Sequence, residues 1–134
     1  MCVFCKIVKG EIPAFKIHET KDVLAFLDLS QVTVGHTLVI PKKHCENLLA
    51  LDDELSSILL KEVVVVANKL KTKLNVDALN VVNNCGEVAG QSVMHVHFHL
   101  IPRTKGDEFE IKQVVHEPNF DELQKLCEKI NKED

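Results

Sequence analysis

Tryptophan and tyrosine are absent and phenylalanine occurs only six times in 134 residues, so stacking of single-stranded bases on aromatic platforms has little to work with. Positive charge is also in short supply: 16 Lys and Arg face 20 Asp and Glu, for a formal net charge of -4. A surface for the nucleic-acid backbone needs a clustered positive field, and this balance excludes a general one. No apolar run approaches the length of a membrane span, and Met1 to Cys5 lacks the layout of a secretory signal. The expectation is a cytoplasmic protein with neither a membrane nor a nucleic-acid partner. With five glycines and four prolines there is no linker, repeat or low-complexity tract, which predicts one domain over residues 1–134. Cysteine is the exception to this scarcity, but its count of five is odd. Thiols kept reduced or bound to metal explain that better than a disulfide framework.

What is present is a chain 46% hydrophobic, long enough to bury a core without staples. Residues 15–19 and 23–28 read as two strands around the polar turn Thr20-Lys21-Asp22. A third, 36–40, follows Gly35 and stops at Pro41, where a ladder donor would be missing. The period then changes. Leu55, Ile58, Leu59, Val63, Val66, Ala67, Leu70 and Leu74 recur at intervals of three and four, as on one face of a helix. Asp52 is its predicted N-cap, with Asp53 and Glu54 at the positive end of the dipole. Residues 78–82 read as a strand, 83–90 as a loop, 92–101 as a strand and 119–130 as a short amphipathic helix. Strands in a row, a long helix, then more strands predict an α+β fold: an antiparallel meander sheet of about five strands with one long helix packed on it.

Within the last strand, His95, His97 and His99 alternate with Val96, Phe98 and Leu100. Successive strand side chains point to opposite faces, so the three imidazoles share one face and the apolar three pack against the helix. Imidazoles spaced about 7 Å apart can grip an extended anionic group, and each can act as nucleophile, proton donor or metal ligand. The run alone leaves open a polar face of an edge strand and a metal site using two or three of the histidines. The preceding loop, Asn84 to Ser92, adds glycines that let backbone approach a phosphate, and neutral hydrogen-bonding groups in Asn84 and Ser92.

The run His95-Val96-His97-Phe98-His99-Leu100-Ile101 matches the signature of the histidine triad (HIT) superfamily, and the chain resembles its Hint-like branch. The likeness extends over residues 4–8, 11–13, 24–30, 35–44 and 89–92; residues 106–134 lie outside it. The resemblance implies that His97 attacks the α-phosphorus of a purine nucleotide, forming a nucleotidyl-histidine that water then cleaves. It implies that His99 holds a nonbridging oxygen, that Ser92 donates to the bridging atom of the leaving group, and that Asn84 contacts the phosphate region. Asn83 is adjacent, but counting back from His95 favours Asn84. His36 matches a fourth family histidine, equally well read as a satisfied core residue. Asp28 would accept from both ribose hydroxyls, and Phe4, Ile7, Ile12, Phe26, Leu27 and Leu29 would form the purine slot. Gly90 and Gln91 join the nucleotide-binding set. The nucleotidyltransferase branch carries glutamine where this chain has His99, so the resemblance is to hydrolases of nucleoside phosphoramidates or dinucleoside polyphosphates.

Cys2 and Cys5 form a short chelating pair that needs two further ligands for a closed tetrahedral site. The resemblance supplies His44 and His95 as those ligands to a structural zinc, with no cofactor required for catalysis. Cys45, Cys85 and Cys127 show no pattern. The long helix carries more apolar surface than one core face uses, since Leu60, Val64 and Val65 lie beside the stripe. Either the C-terminal tail covers this flank or a second copy does; the resemblance implies a homodimer through the helix and strand 78–82. Two other readings stand against the hydrolase: a nucleotide-binding regulatory protein with incidental hydrolysis, and a metalloprotein with all three strand histidines on one open metal.

Overall fold

The computed structural model describes residues 2–133. Helix α1 (Val3–Val8) precedes strands β1 (Lys16–Glu19), β2 (Val23–Leu27) and β3 (Thr37–Pro41), the long helix α2 (Asp53–Leu74), strands β4 (Ala78–Asn83) and β5 (Phe98–Arg103), and helix α3 (Phe120–Asn131). All strand pairs are antiparallel, in the order β1-β2-β3-β5-β4. The first three strands meander. The chain then crosses along α2 and leaves a place that β5 fills on its return, so β1 and β4 are the edges. No helix among the described residues is long and apolar enough to cross a membrane.

The local chemistry expected of the elements is present. In the β1–β2 turn, Thr20 Oγ1 accepts from the amides of Asp22 (3.3 Å) and Val23 (3.0 Å). Asp52 Oδ1 caps α2 by accepting from the Leu55 amide at 2.7 Å, and Asn75 closes it in the left-handed region at φ 53°. Gly35 is obligatory in the turn before β3. Its φ is +94°, and a Cβ there would run into Leu74 Cδ1 at the end of α2.

Both faces of the sheet are covered, and strict alternation sorts the residues between them. On one face Val23, Ala25, Val39 and Leu100 pack against Leu59, Val63, Val66 and Leu70 of α2, with Phe98 beside them. Val96 continues this face against Leu55. Burial of each of these side chains larger than alanine is worth about 1.5–3 kcal/mol. The other face carries Leu24, Phe26, Leu38 and Ile40, which pack against Phe4 and Ile7 of α1. Helix α1 has no counterpart in the sequence reading. It is only six residues long, and its cap is a thiol: Cys2 Sγ accepts from the Cys5 amide at 3.2 Å.

The expected strand 92–101 forms a ladder only from Phe98 onward. The pairing with β3 stops where Val39 meets Phe98, although β3 runs on to Pro41 beside β2, and the pairing with β4 stops where Asn83 meets Phe98. The Asn83 side chain then takes over, its Nδ2 donating to the His97 carbonyl at 2.9 Å. Upstream, the Val96 amide donates to the Cys45 carbonyl at 2.8 Å. His95 and His97 therefore sit on an extended lead-in to β5. At the far end β5 passes through Pro102, because beyond Leu100 it has no partner on the β3 side to lose.

Helix α3 begins one residue after its cap, Asn119, whose Oδ1 accepts from the Glu122 amide at 3.1 Å. It does not cover the flank of α2. Phe120, Leu123, Leu126 and Ile130 are themselves exposed, and so are Leu60, Val64 and Val65. Leu74, expected in the core stripe, is also partly open, its contact being the turn at Gly35.

Candidate functional site

Four histidines meet between β3, β5 and the β2–β3 turn, and the hydrogen bond at one ring nitrogen fixes the role of the other. His97 is buried, and its Nδ1–H donates to the His95 carbonyl at 2.8 Å. Its Nε2 is left with a free lone pair. His95 is fully buried; its Nε2–H donates to the Pro41 carbonyl at 2.8 Å, which leaves Nδ1 as the acceptor. His36 Nδ1 accepts from the Val32 amide at 3.4 Å, so its Nε2–H donates to His99 Nδ1, 2.9 Å away. The His99 Nε2–H remains as a donor. The His97 and His99 rings lie 5.1 Å apart, centroid to centroid.

The electrostatics agree with neutral rings at His99 and His36. Burial pushes His99 down to about 4, helped by His97 and His36, against an opposing pull from Asp28. Burial also lowers His36, with Asp28 opposing. Burial raises Asp28, but hydrogen bonds from the Ser30 hydroxyl and amide, together with His36 and His99, outweigh it and hold the carboxyl below its usual range. Ser30 occupies Oδ1, leaving Oδ2, which lies 3.7 Å from His36 Nε2.

A cavity of about 300 Å³ opens in front of His97 and His99. Its walls include Phe4, Ile7, Ile12, Phe26, Leu27, Asp28 and Leu29, with Ser92 beside the histidines. The expected apolar slot is thus assembled from α1, β2 and the segments that follow each. Val3, Pro13, Ala14, Leu38 and Val93 also line it; the sequence reading gave none of them a binding role. Asn84, Gly90, Gln91 and His36 are not on the wall. Asn84 lies beside Gly90, its side chain 3.7 Å from where a Gly90 Cβ would stand. The Gln91 side chain is buried and spent on backbone: Nε2 donates to Glu46 and Val93, and Oε1 accepts from Gly86. His36 stands behind His99. Gln31, unremarkable in sequence, braces this corner, with Nε2 on the Asp28 and His36 carbonyls and Oε1 on the Gly35 amide.

Beside the cavity, Cys2, Cys5, His44 and His95 bring four ligand atoms together. The sulfur–nitrogen distances are 3.3–3.6 Å and the two Nδ1 atoms are 3.2 Å apart. A tetrahedral zinc with Zn–S of about 2.3 Å and Zn–N of about 2.0–2.1 Å has S–N edges of about 3.6 Å and an N–N edge of about 3.3 Å. The donor set and spacing therefore fit one zinc ion. The Pro41 carbonyl on His95 Nε2 is the kind of outer hydrogen bond that would orient this imidazole as a ligand. The reading of one open metal on all three strand histidines fails here. Among the described residues the three do not converge: His95 turns its free Nδ1 to Cys2, Cys5 and His44, whereas His99 groups with Asp28 and His36.

The HIT domain family profile matches residues 9–106. The chain is a member of the HIT family. This HIT protein is 46% identical over 134 residues to "Protein hit" of Bacillus subtilis, covering 98% of this chain and 92% of that one. It is 42% identical over 130 residues to the adenosine 5'-monophosphoramidase HNT1 of Saccharomyces cerevisiae, covering 96% of this chain and 80% of that one. The crystal structure of a HIT family member from Bacillus subtilis superposes with a TM-score of 0.90 at 46% identity, over 96% of this chain and 94% of that one.

Proposed function

We propose that this HIT protein is a purine nucleoside 5'-phosphoramidate hydrolase acting at the α-phosphate, with dinucleoside polyphosphates as the alternative substrate class. The observation that carries the reading is the tautomer of His97. Its Nδ1–H is committed to the His95 carbonyl, so the lone pair on Nε2 is free to attack phosphorus. His99, kept neutral with Nε2–H outward, donates to a nonbridging oxygen. His36 holds that tautomer from behind. Ser92 donates to the bridging atom of the leaving group. Asn84 contacts the phosphate region, and Gly90 and Gln91 belong to the loop that binds it. Asp28 Oδ2 accepts from the ribose, and Phe4, Ile7, Ile12, Phe26, Leu27 and Leu29 hold the base. Attack breaks the bond from phosphorus to the leaving group, and water then releases the nucleoside monophosphate from His97.

The name of the yeast relative, adenosine 5'-monophosphoramidase, supports the substrate class. Zinc on Cys2, Cys5, His44 and His95 is structural in this reading, since four protein ligands leave no open position for substrate or water. Five free thiols support a reducing, cytoplasmic setting, and the exposed flank of α2 beside edge strand β4 supports a homodimer. Turnover of AMP-lysine, AMP-amide and diadenosine polyphosphates by wild type and His97→Ala tests the chemistry. The variant is expected to lose at least about 10⁴-fold in kcat, as when a covalent nucleophile is removed, while still binding AMP. Mass spectrometry of quenched wild type should find nucleotidylated His97. Turnover by His97→Ala at the wild-type rate refutes the mechanism.

A further inference from the structure

The four-ligand cluster and the base slot share one element, α1. Cys2 caps this helix and Cys5 lies in its first turn, while Val3, Phe4 and Ile7 face the cavity. Among the described residues, α1 and its exit turn make backbone hydrogen bonds only within residues 2–11. Six residues of helix do not persist alone in water. What fixes α1 is therefore the burial of Phe4 and Ile7 together with the two thiols gathered at His44 and His95. Phe4 carries the connection further. Its ring stands edge-on to His97 at 5.1 Å, His95 at 5.9 Å and Phe26 at 5.7 Å. His95 then reaches the site a second way, through the carbonyl that holds His97 Nδ1–H.

We propose that the metal cluster is a latch on the nucleotide site: an ion held by Cys2, Cys5, His44 and His95 clamps α1 as the movable wall of the base slot, so that metal occupancy and nucleotide binding are coupled. The inference rests on the nucleotide reading of the cavity. In this arrangement Phe4 is a positioning residue as well as a slot wall. Coupling of this kind is reciprocal, so nucleotide must tighten zinc by the same factor by which zinc tightens nucleotide.

Calorimetric titration of AMP into zinc-loaded protein, and into protein stripped by chelator and kept reduced, measures the latch directly. Stripping is expected to weaken AMP by about tenfold or more, with a matching gain in zinc affinity when AMP is saturating. Far-UV circular dichroism should show β-sheet and α2 retained, and trypsin should gain access to Lys6 and Lys9 in the stripped protein. Should the stripped protein lose its fold, zinc-loaded Phe4→Leu provides the second test. It is expected to keep about one zinc per chain yet bind AMP several-fold more weakly, with a lower kcat. AMP affinity indifferent to stripping in folded protein overturns the latch alone; AMP affinity indifferent to Phe4→Leu with zinc in place removes Phe4 from the base slot and the latch with it. Failure of the zinc-loaded wild type to bind AMP overturns the nucleotide reading, and the latch with it.

Discussion

Each histidine here does what its hydrogen-bonded nitrogen leaves it free to do. His97 and His95 both donate to carbonyls, but through opposite nitrogens, so one offers Nε2 to the cavity and the other Nδ1 to the thiols. Spacing alone treats the two as equivalent. His99 has a further signature in pH. Its value in the folded chain, about 4, lies below the ordinary 6.5, so the unfolded chain takes up the proton first on acidification. The stabilising contribution of a neutral His99 is complete above about pH 6.5 and is lost as pH falls toward about 4. Urea unfolding at pH 7 and pH 5 should therefore show a smaller acid loss for His99→Gln than for wild type. An equal loss in the two proteins would mean that His99 is not held neutral by the fold.

At the scale of elements, the strand and helix periods were legible because each element buries one defined face. The N-cap at Asp52, the core stripe from Leu55 to Leu70 and the helix after Asn119 all lie where spacing and capping chemistry place them. Three features were hidden. Helix α1 has neither length nor an oxygen cap, and tertiary contact alone makes it a helix. The lead-in to β5 loses its ladder because β4 ends at Asn83 and the β3 pairing stops at Val39, a fact about pairing and not about residues 92–97. Glu62, buried on the core side of α2, is tolerated beside His18 at 3.4 Å. The turn at Gly35 joins two elements and gives an element-scale prediction. Gly35→Ala forces a left-handed alanine and a Cβ into Leu74, and should destabilise by about 1–3 kcal/mol in thermal denaturation. Pairing it with Leu74→Ala should recover the collision but not the backbone strain. A fully additive double variant would show that Leu74 is not the obstacle.

The whole molecule presents apolar surface that its own chain leaves uncovered. Leu60, Val64 and Val65 on α2 and Val81 on edge strand β4 are all exposed. Two copies meeting here would join their β4 edges and bury the valines, which are not placed for helix propensity. A two-fold interface puts each residue near its own copy, so Val64→Glu would bring like charges into an apolar seam. Light scattering should find a wild-type dimer at micromolar concentration and a monomeric Val64→Glu. A monomeric wild type, or a variant dimer that survives intact, removes this flank as the interface.

By itself the sequence determined the family, the two alternating faces around His95, His97 and His99, and the period of α2. These are properties of neighbours along the chain, where backbone geometry alone sets direction. It also marked Cys2 and Cys5 as a chelating pair, but their meeting with His44 and His95 spans up to 93 residues. Distances of that kind belong to the tertiary structure. So do the division of labour among the ring nitrogens, set by carbonyls at Pro41 and His95, and the placement of α1 between the Cys2, Cys5, His44 and His95 cluster and the cavity. A hydrogen-bond partner distant in sequence leaves no trace in local composition, and it is such a partner that turns the free nitrogen of His95 to the thiols while that of His97 faces the cavity.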